Sequence, residues 1–169
     1  PKYLRLDAQV LPVLYANAPP DMATGFQCHR DGQKLCLVAT GYMVHTALKV
    51  AERLAQSGEQ IGVIDLFDLS GFDPERLAET LATYAGIISL EEGFRGRGGL
   101  DAMLFDFCAR RRLQASLLNI GVEGGYRFEI GSRSELHEQV SIGENAVTER
   151  VTRFIAELSG GGTNNEGND

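Results

Sequence analysis

From residue 35 onward, runs of apolar residues alternate with stretches of helical period. "LCLVA" at 35–39, "IGVIDLF" at 61–67, "GIISL" at 86–90 and "ASLLNIGV" at 115–122 are continuously hydrophobic rather than alternating. Between them, apolar side chains recur every three to four residues, the spacing of one helix face. A helix is predicted over about 42–57, with Val44, Ala47, Leu48, Ala51, Leu54 and Ala55 inward and Gly58 as its stop. Asp73 caps a second helix that has Pro74 in its first turn and Leu77, Ala78, Leu81 and Tyr84 as its stripe. A third covers 99–112, with Leu100, Met103, Leu104, Phe107 and Cys108 inward. Strands that are apolar throughout and separated by helices predict a parallel sheet covered on both faces, with right-handed crossovers.

The flanks modify this core. Residues 26–39 read as two strands joined by a turn at Asp31 and Gly32, since Asp-Gly favours tight hairpins, which makes the first strand antiparallel. Ser132 and Glu135 form an S-x-x-E capping box that opens a short helix to about 140. A longer helix follows over 143–158, burying Val147, Val151, Phe154, Ile155 and Leu158. The predicted fold is therefore α/β: three layers, with a mostly parallel five-stranded sheet and one antiparallel edge strand. The domain is expected at 26–158. Residues 1–25, with an extended "KYLRLD" and an irregular "LPVLYANAPPDM", read as a linker or arm from a preceding domain, and 159–169 as a disordered tail. The start at Pro1 suggests a fragment or processed product.

Composition narrows the function classes. The chain has 169 residues, 43% hydrophobic and 23% charged, enough for one domain with its own core. No apolar window reaches transmembrane length, and the N-terminus has no signal-peptide core. A net charge of −7 argues against a nucleic-acid partner. Arg110, Arg111 and Arg112 read as cations at a helix C-terminus. Cys28, Cys36 and Cys108 form no CxxC, so no disulfide framework or zinc site is expected, and a reducing cytoplasm fits.

The densest chemistry lies in "SLEEGFRGRGGL" at 89–100. The loop matches neither a dinucleotide fingerprint nor a P-loop. It does follow a strand and open a helix, so its N–H groups, with Arg95 and Arg97, could meet an anion. The alternative, that Gly98 and Gly99 let the helix pack closely on the sheet, outweighs it. Glu91 and Glu92 point to opposite faces of a strand and cannot form a catalytic carboxylate pair. One could pair with a loop arginine or accept N–H bonds from a helix start; the other could sit at a partner interface. "ATGYMVH" at 39–45 is a second strand-to-helix turn, with Thr40 or Gly41 near the N-cap. His29, His45 and His137 have no triad partner placed by a motif, and Ser134 and Ser141 have no nucleophile elbow. No catalytic, cofactor-binding or metal-binding residue is assigned. Glu91, Glu92, Arg95, Arg97, Gly98 and Gly99 are the candidate interface or anion contacts.

The ordered set "LVATGYMVHTALKVAERLAQSGEQIGVID", "IISLEEGFRGRGGLDAMLFDF" and "IGVEGGYRFEIGSRSELHEQVSIGENAVTERV" resembles the C-terminal domain of the thiamine-diphosphate-dependent transketolase family over about 35–157. The same domain type occurs in deoxyxylulose-phosphate synthase and in 2-oxoacid dehydrogenase beta subunits. Two departures stand out: Leu100-Asp101 replaces a further small residue, and "GVEGGYRFEIG" lacks an aspartate often found there. "PKYLRLD" is similar to the last strand of the family's pyrimidine-binding domain. The resemblance implies a whole enzyme that transfers two-carbon ketol units between sugar phosphates, using thiamine diphosphate and Mg²⁺ held by other domains or subunits. This chain would bind no cofactor itself and would extend a dimer contact. The alternative it implies is a docking module of the 2-oxoacid dehydrogenase beta type.

Overall fold

Strand β2 (Leu35–Ala39) is buried at every position, and so is β3 (Ile61–Leu66). Strands of this kind need cover on both faces and a neighbour on both edges. The computed structural model, which describes residues 7, 9–16 and 18–160, gives them both. The elements run β1 (Phe26–Arg30), β2, α1 (Met43–Ala55), β3, α2 (Pro74–Leu81), β4 (Gly86–Phe94), α3 (Leu100–Arg111), β5 (Ser116–Val122), α4 (Arg133–Gln139) and α5 (Glu144–Gly160). The five-stranded sheet has the order β1-β3-β2-β4-β5. β2 pairs in parallel with β3 and β4, and β4 pairs in parallel with β5, while β1 is antiparallel to β3 at the edge. This is the predicted architecture.

Strand alternation divides the core. Leu35, Leu37, Ile61, Val63, Ile88 and Leu90 pack with α1 and α5 on one face. Cys36, Val38, Ile64, Leu66 and Ile87 pack with α2 and α3 on the other. The helix stripes hold: Val44, Ala47, Ala51, Leu54, Leu77, Leu81, Leu100, Leu104, Val147 and Val151 are all buried.

Three expectations need correction. The Asp31-Gly32 turn does not form a hairpin, because β1 pairs with β3 and not with β2. Both edges of β2 are taken by parallel partners, and burial of its apolar side chains outweighs the local turn preference. The connection instead crosses the start of β3, and Gly32 makes this possible: a Cβ there would overlap the Gly62 backbone nitrogen. Helix α1 begins at Tyr42 without a side-chain cap; Met43, Val44 and His45 donate their N–H groups to the carbonyls of Thr40, Gly41 and Tyr42. Helix α5 runs to Gly160, so residues 159 and 160 are helical rather than part of a tail. Residues 2–6 of the "KYLRLD" expectation and the tail at 161–169 lie outside the described residues.

The remaining caps follow the sequence. The Asp73 carboxylate accepts from the N–H groups of Glu75 and Arg76, and the Ser132–Glu135 capping box is complete. No helix among the described residues is long and apolar enough to cross a membrane.

Candidate functional site at the carboxyl ends of the strands

Helix α1 follows β2 onto one face of the sheet, whereas α3 follows β4 onto the other. The loops after β2 and β4 therefore diverge and leave a crevice at the carboxyl ends of neighbouring strands, the usual ligand position in open α/β sheets. Of the predicted residues Glu92 lies at it, and the chain fills it from within.

β4 runs through Phe94, four residues beyond the apolar run. Between its Leu90–Ile120 and Phe94–Val122 pairings with β5, β4 carries two more residues than its partner, an irregularity that re-aims side chains. Glu91 is buried and accepts from the N–H groups of Leu100 (3.0 Å) and Asp101 (2.9 Å) at the start of α3. It thus meets the positive end of that helix and satisfies donors that would otherwise be orphaned. Gly93 and Gly99 shape its berth, since a Cβ on either would strike the Glu91 carboxylate.

Glu92 projects to the opposite face, as expected of its strand neighbour, and its partners come from α4 rather than from the loop. Arg133 grips it with two N–H bonds of 2.8 and 2.7 Å, and the His137 ring nitrogen lies 2.7 Å from the same carboxylate. Burial disfavours the charge on Glu92, but the hydrogen bonds from Arg133 and His137 prevail and hold its carboxyl below the ordinary range. The Arg133 guanidinium also lies 4.0 Å over the Tyr42 ring, a cation–π contact, and Tyr42 meets His137 edge-on. Arg133 reaches further, to Asp7 and Gln9 of the N-terminal arm. Its hydrogen bonds to Glu92 and Asp7 raise its pKa above the usual value against the cost of burial.

A second tie joins the arm to the sheet. The Tyr15 hydroxyl donates to Asp65 at 2.6 Å, and its ring packs on His29. Asp65 is only 5% exposed, and burial raises its carboxyl pKa, with Tyr15, His29 and His45 pulling the other way. His29 Nε2 stands 3.9 Å from the carboxylate, near enough for attraction but too far for a hydrogen bond, so it and Asp65 Oδ1 have no hydrogen-bond partner among the described residues. Leu14 packs against the α1-side core.

The loop residues play smaller parts. Arg95 pairs with Glu123, Arg97 is exposed, and Gly98 takes φ 90, a value that favours glycine. Tyr42, Arg133, His137, Tyr15 and Asp65 were not among the sequence candidates. Asp65 had a visible signal, a lone acid inside an apolar strand. The Glu92–Arg133 contact spans 41 residues and has no local signal.

A diphosphate does not fit the glycine loop. The α3 N–H groups it would need already hold a carboxylate, and a second anion there would face the first. Among the described residues no group of three or more His, Cys, Asp or Glu is placed to hold a metal ion.

The family model for the transketolase C-terminal domain matches residues 25–147. The chain belongs to this family. One of the subunits of the apulose-4-phosphate transketolase of Actinobacillus succinogenes is 25% identical over 150 residues, covering 88% of this chain and 48% of that protein. The 1-deoxy-D-xylulose-5-phosphate synthase of Aquifex aeolicus is 26% identical over 121 residues, covering 72% of this chain and 19% of that enzyme. Among solved structures, a split-gene transketolase described as an inactive beta4 tetramer superimposes with a TM-score of 0.72 at 20% identity, over 85% of this chain and 45% of the other. A Pichia stipitis transketolase mutant gives 0.67 at 22% identity, over 90% of this chain and 21% of the other. The transketolase C-terminal chain thus spans less than half the length of these relatives, and its fold is theirs.

Proposed function

We propose that this chain is the C-terminal scaffolding section of a transketolase-like enzyme that transfers two-carbon ketol units between sugar phosphates. Thiamine diphosphate and Mg²⁺ are held by a thiamine-binding domain or separate polypeptide outside the residues described, and this section supplies the surface against which that part packs. The observation that carries the reading is the filled crevice: the side chains of Glu92, Arg133, His137 and Asp7 occupy the position where a ligand would sit. The arm tied there by Arg133 and Tyr15 is the connection expected toward a preceding domain. Tyr126, Phe128 and Ile130 are 91%, 85% and 97% exposed in the loop leading into α4, which supports a surface meant to be covered. The Actinobacillus relative is one subunit of its enzyme, and the split-gene relative is a tetramer; these support a partner on a separate polypeptide and self-association. A cytoplasmic setting fits the three free cysteines.

The test is a turnover assay with xylulose 5-phosphate, ribose 5-phosphate, thiamine diphosphate and Mg²⁺. The chain alone is expected to be inactive, and addition of a thiamine-binding section, from the same polypeptide or a separate one, is expected to give activity. Turnover by the isolated chain, or a thiamine-binding section that is fully active without it, refutes the proposal.

A further inference from the structure

A second recess lies away from the filled crevice, between the end of β5, the end of α4 and the side of α5. Its volume is about 320 Å³, and Arg127, Arg150 and Arg153 converge on it with Gln139, Ser141 and one acid, Glu123. Arg150 and Arg153 are three residues apart on α5 and so share a face. Arg150 is half-buried and donates to the Asn119 carbonyl at 3.0 Å, while Arg127 donates to the Glu123 carbonyl at 3.2 Å. Both acceptors are neutral, and neither arginine has a carboxylate within ion-pair distance among the described residues. The acids nearby are engaged, Glu123 with Arg95 and Glu149 with Arg153 at 3.0 Å. Burial above all, and then the positive charge of Arg95, press the Arg150 guanidinium below its usual pKa; Arg153 adds to this and Glu123 opposes it. Arg127 and Arg150 therefore stand at the recess without a carboxylate partner, Arg150 partly desolvated, in a chain whose net charge is −7. Folding tolerates this arrangement at a cost that a bound anion would remove.

We propose that this recess binds a small phosphate-bearing anion, with Arg150 and Arg127 as its principal contacts and Arg153 as a third. A guanidinium has five N–H donors, and Arg150 and Arg127 each spend one hydrogen bond on a carbonyl, so paired donors remain for phosphate oxygens. Concavity and size favour a small molecule over an acidic protein segment, which would need an extended strip. The overall acidity disfavours a nucleic acid. The site is independent of the crevice and of the proposed function above.

Calorimetric titration of the full chain with inorganic pyrophosphate, and separately with inorganic phosphate, tests this. Saturable binding with a dissociation constant of about 1 mM or tighter is expected for pyrophosphate. Arg127→Ala, at an exposed position, is expected to weaken it about tenfold, as loss of a charge-assisted contact predicts. Arg150→Lys, which keeps the charge but not the fork, is expected to weaken it too, with folding checked by circular dichroism. Arg76→Ala, on α2 and outside the recess, is expected to leave it unchanged. No saturable heat, affinity matched by sulfate and lost at physiological salt, or affinity untouched by Arg127→Ala and Arg150→Lys would each overturn the proposal.

Discussion

Replacing Glu91 by glutamine isolates the carboxylate inside the glycine loop. The amide keeps the shape and one acceptor, but its NH₂ group faces N–H donors already pointing at it. One charge-assisted hydrogen bond is lost, worth about 1.5–3 kcal/mol. The favourable contact of a negative charge with the α3 N-terminus goes with it, about 0.3–1 kcal/mol and more where partly buried. The sum is about 2–4 kcal/mol. At roughly 2–4 °C per kcal/mol for a domain of this size, the midpoint of thermal unfolding falls by about 5–15 °C. Glu92→Gln is the matched control: the same chemical change one residue on, at a carboxylate 37% exposed, where ion pairs contribute about 0.2–1 kcal/mol each. Urea unfolding followed by circular dichroism measures both. A Glu91→Gln loss below about 0.5 kcal/mol, or one no larger than that of Glu92→Gln, would refute the assignment of Glu91 as the internal partner of α3.

Three further outcomes are expected. Gly99→Ala should destabilise by about 1–3 kcal/mol through steric overlap with Glu91 alone, because φ −85 is open to any residue; thermal unfolding checks it, and a neutral variant contradicts the described berth. Tyr15→Phe leaves the buried Asp65 without its donor, so stability should drop by about 1.5–3 kcal/mol and amide exchange along residues 9–16 should accelerate; unchanged exchange contradicts the arm tie. Because the Glu92 carboxyl is held below its ordinary pKa, its contribution is present above the unfolded-state value of about 4.3 and is lost as pH falls through the lower folded value. A urea-midpoint series from pH 6 to pH 3 should therefore fall less steeply in Glu92→Gln than in the parent, and parallel curves would contradict the shift.

The sheet and its two helical layers were legible because burial on both faces writes itself into strands such as "LCLVA" and "IGVIDL", where no polar face is needed. The Asp31-Gly32 turn misled for the opposite reason: a four-residue signal describes only itself, while pairing is decided by which edges of β2 remain free. The Glu91 berth was half legible, since a helix start beside an acid was visible but the choice between arginine and N–H partners depends on the irregularity in β4. The Arg133, His137 and Tyr42 cluster was not legible, because three separate stretches meet there only after β4, α1 and α4 have packed.

The reversed course of β1 has a geographical consequence. Its first residue, Phe26, lies beside Leu66, the last residue of β3. Whatever precedes the strand must therefore emerge on the rim where the parallel strands finish. Had that edge strand pointed the other way, the incoming polypeptide would surface at the far rim, out of reach of Glu92 and Asp65. A single inverted strand thus chooses the side from which any upstream neighbour approaches.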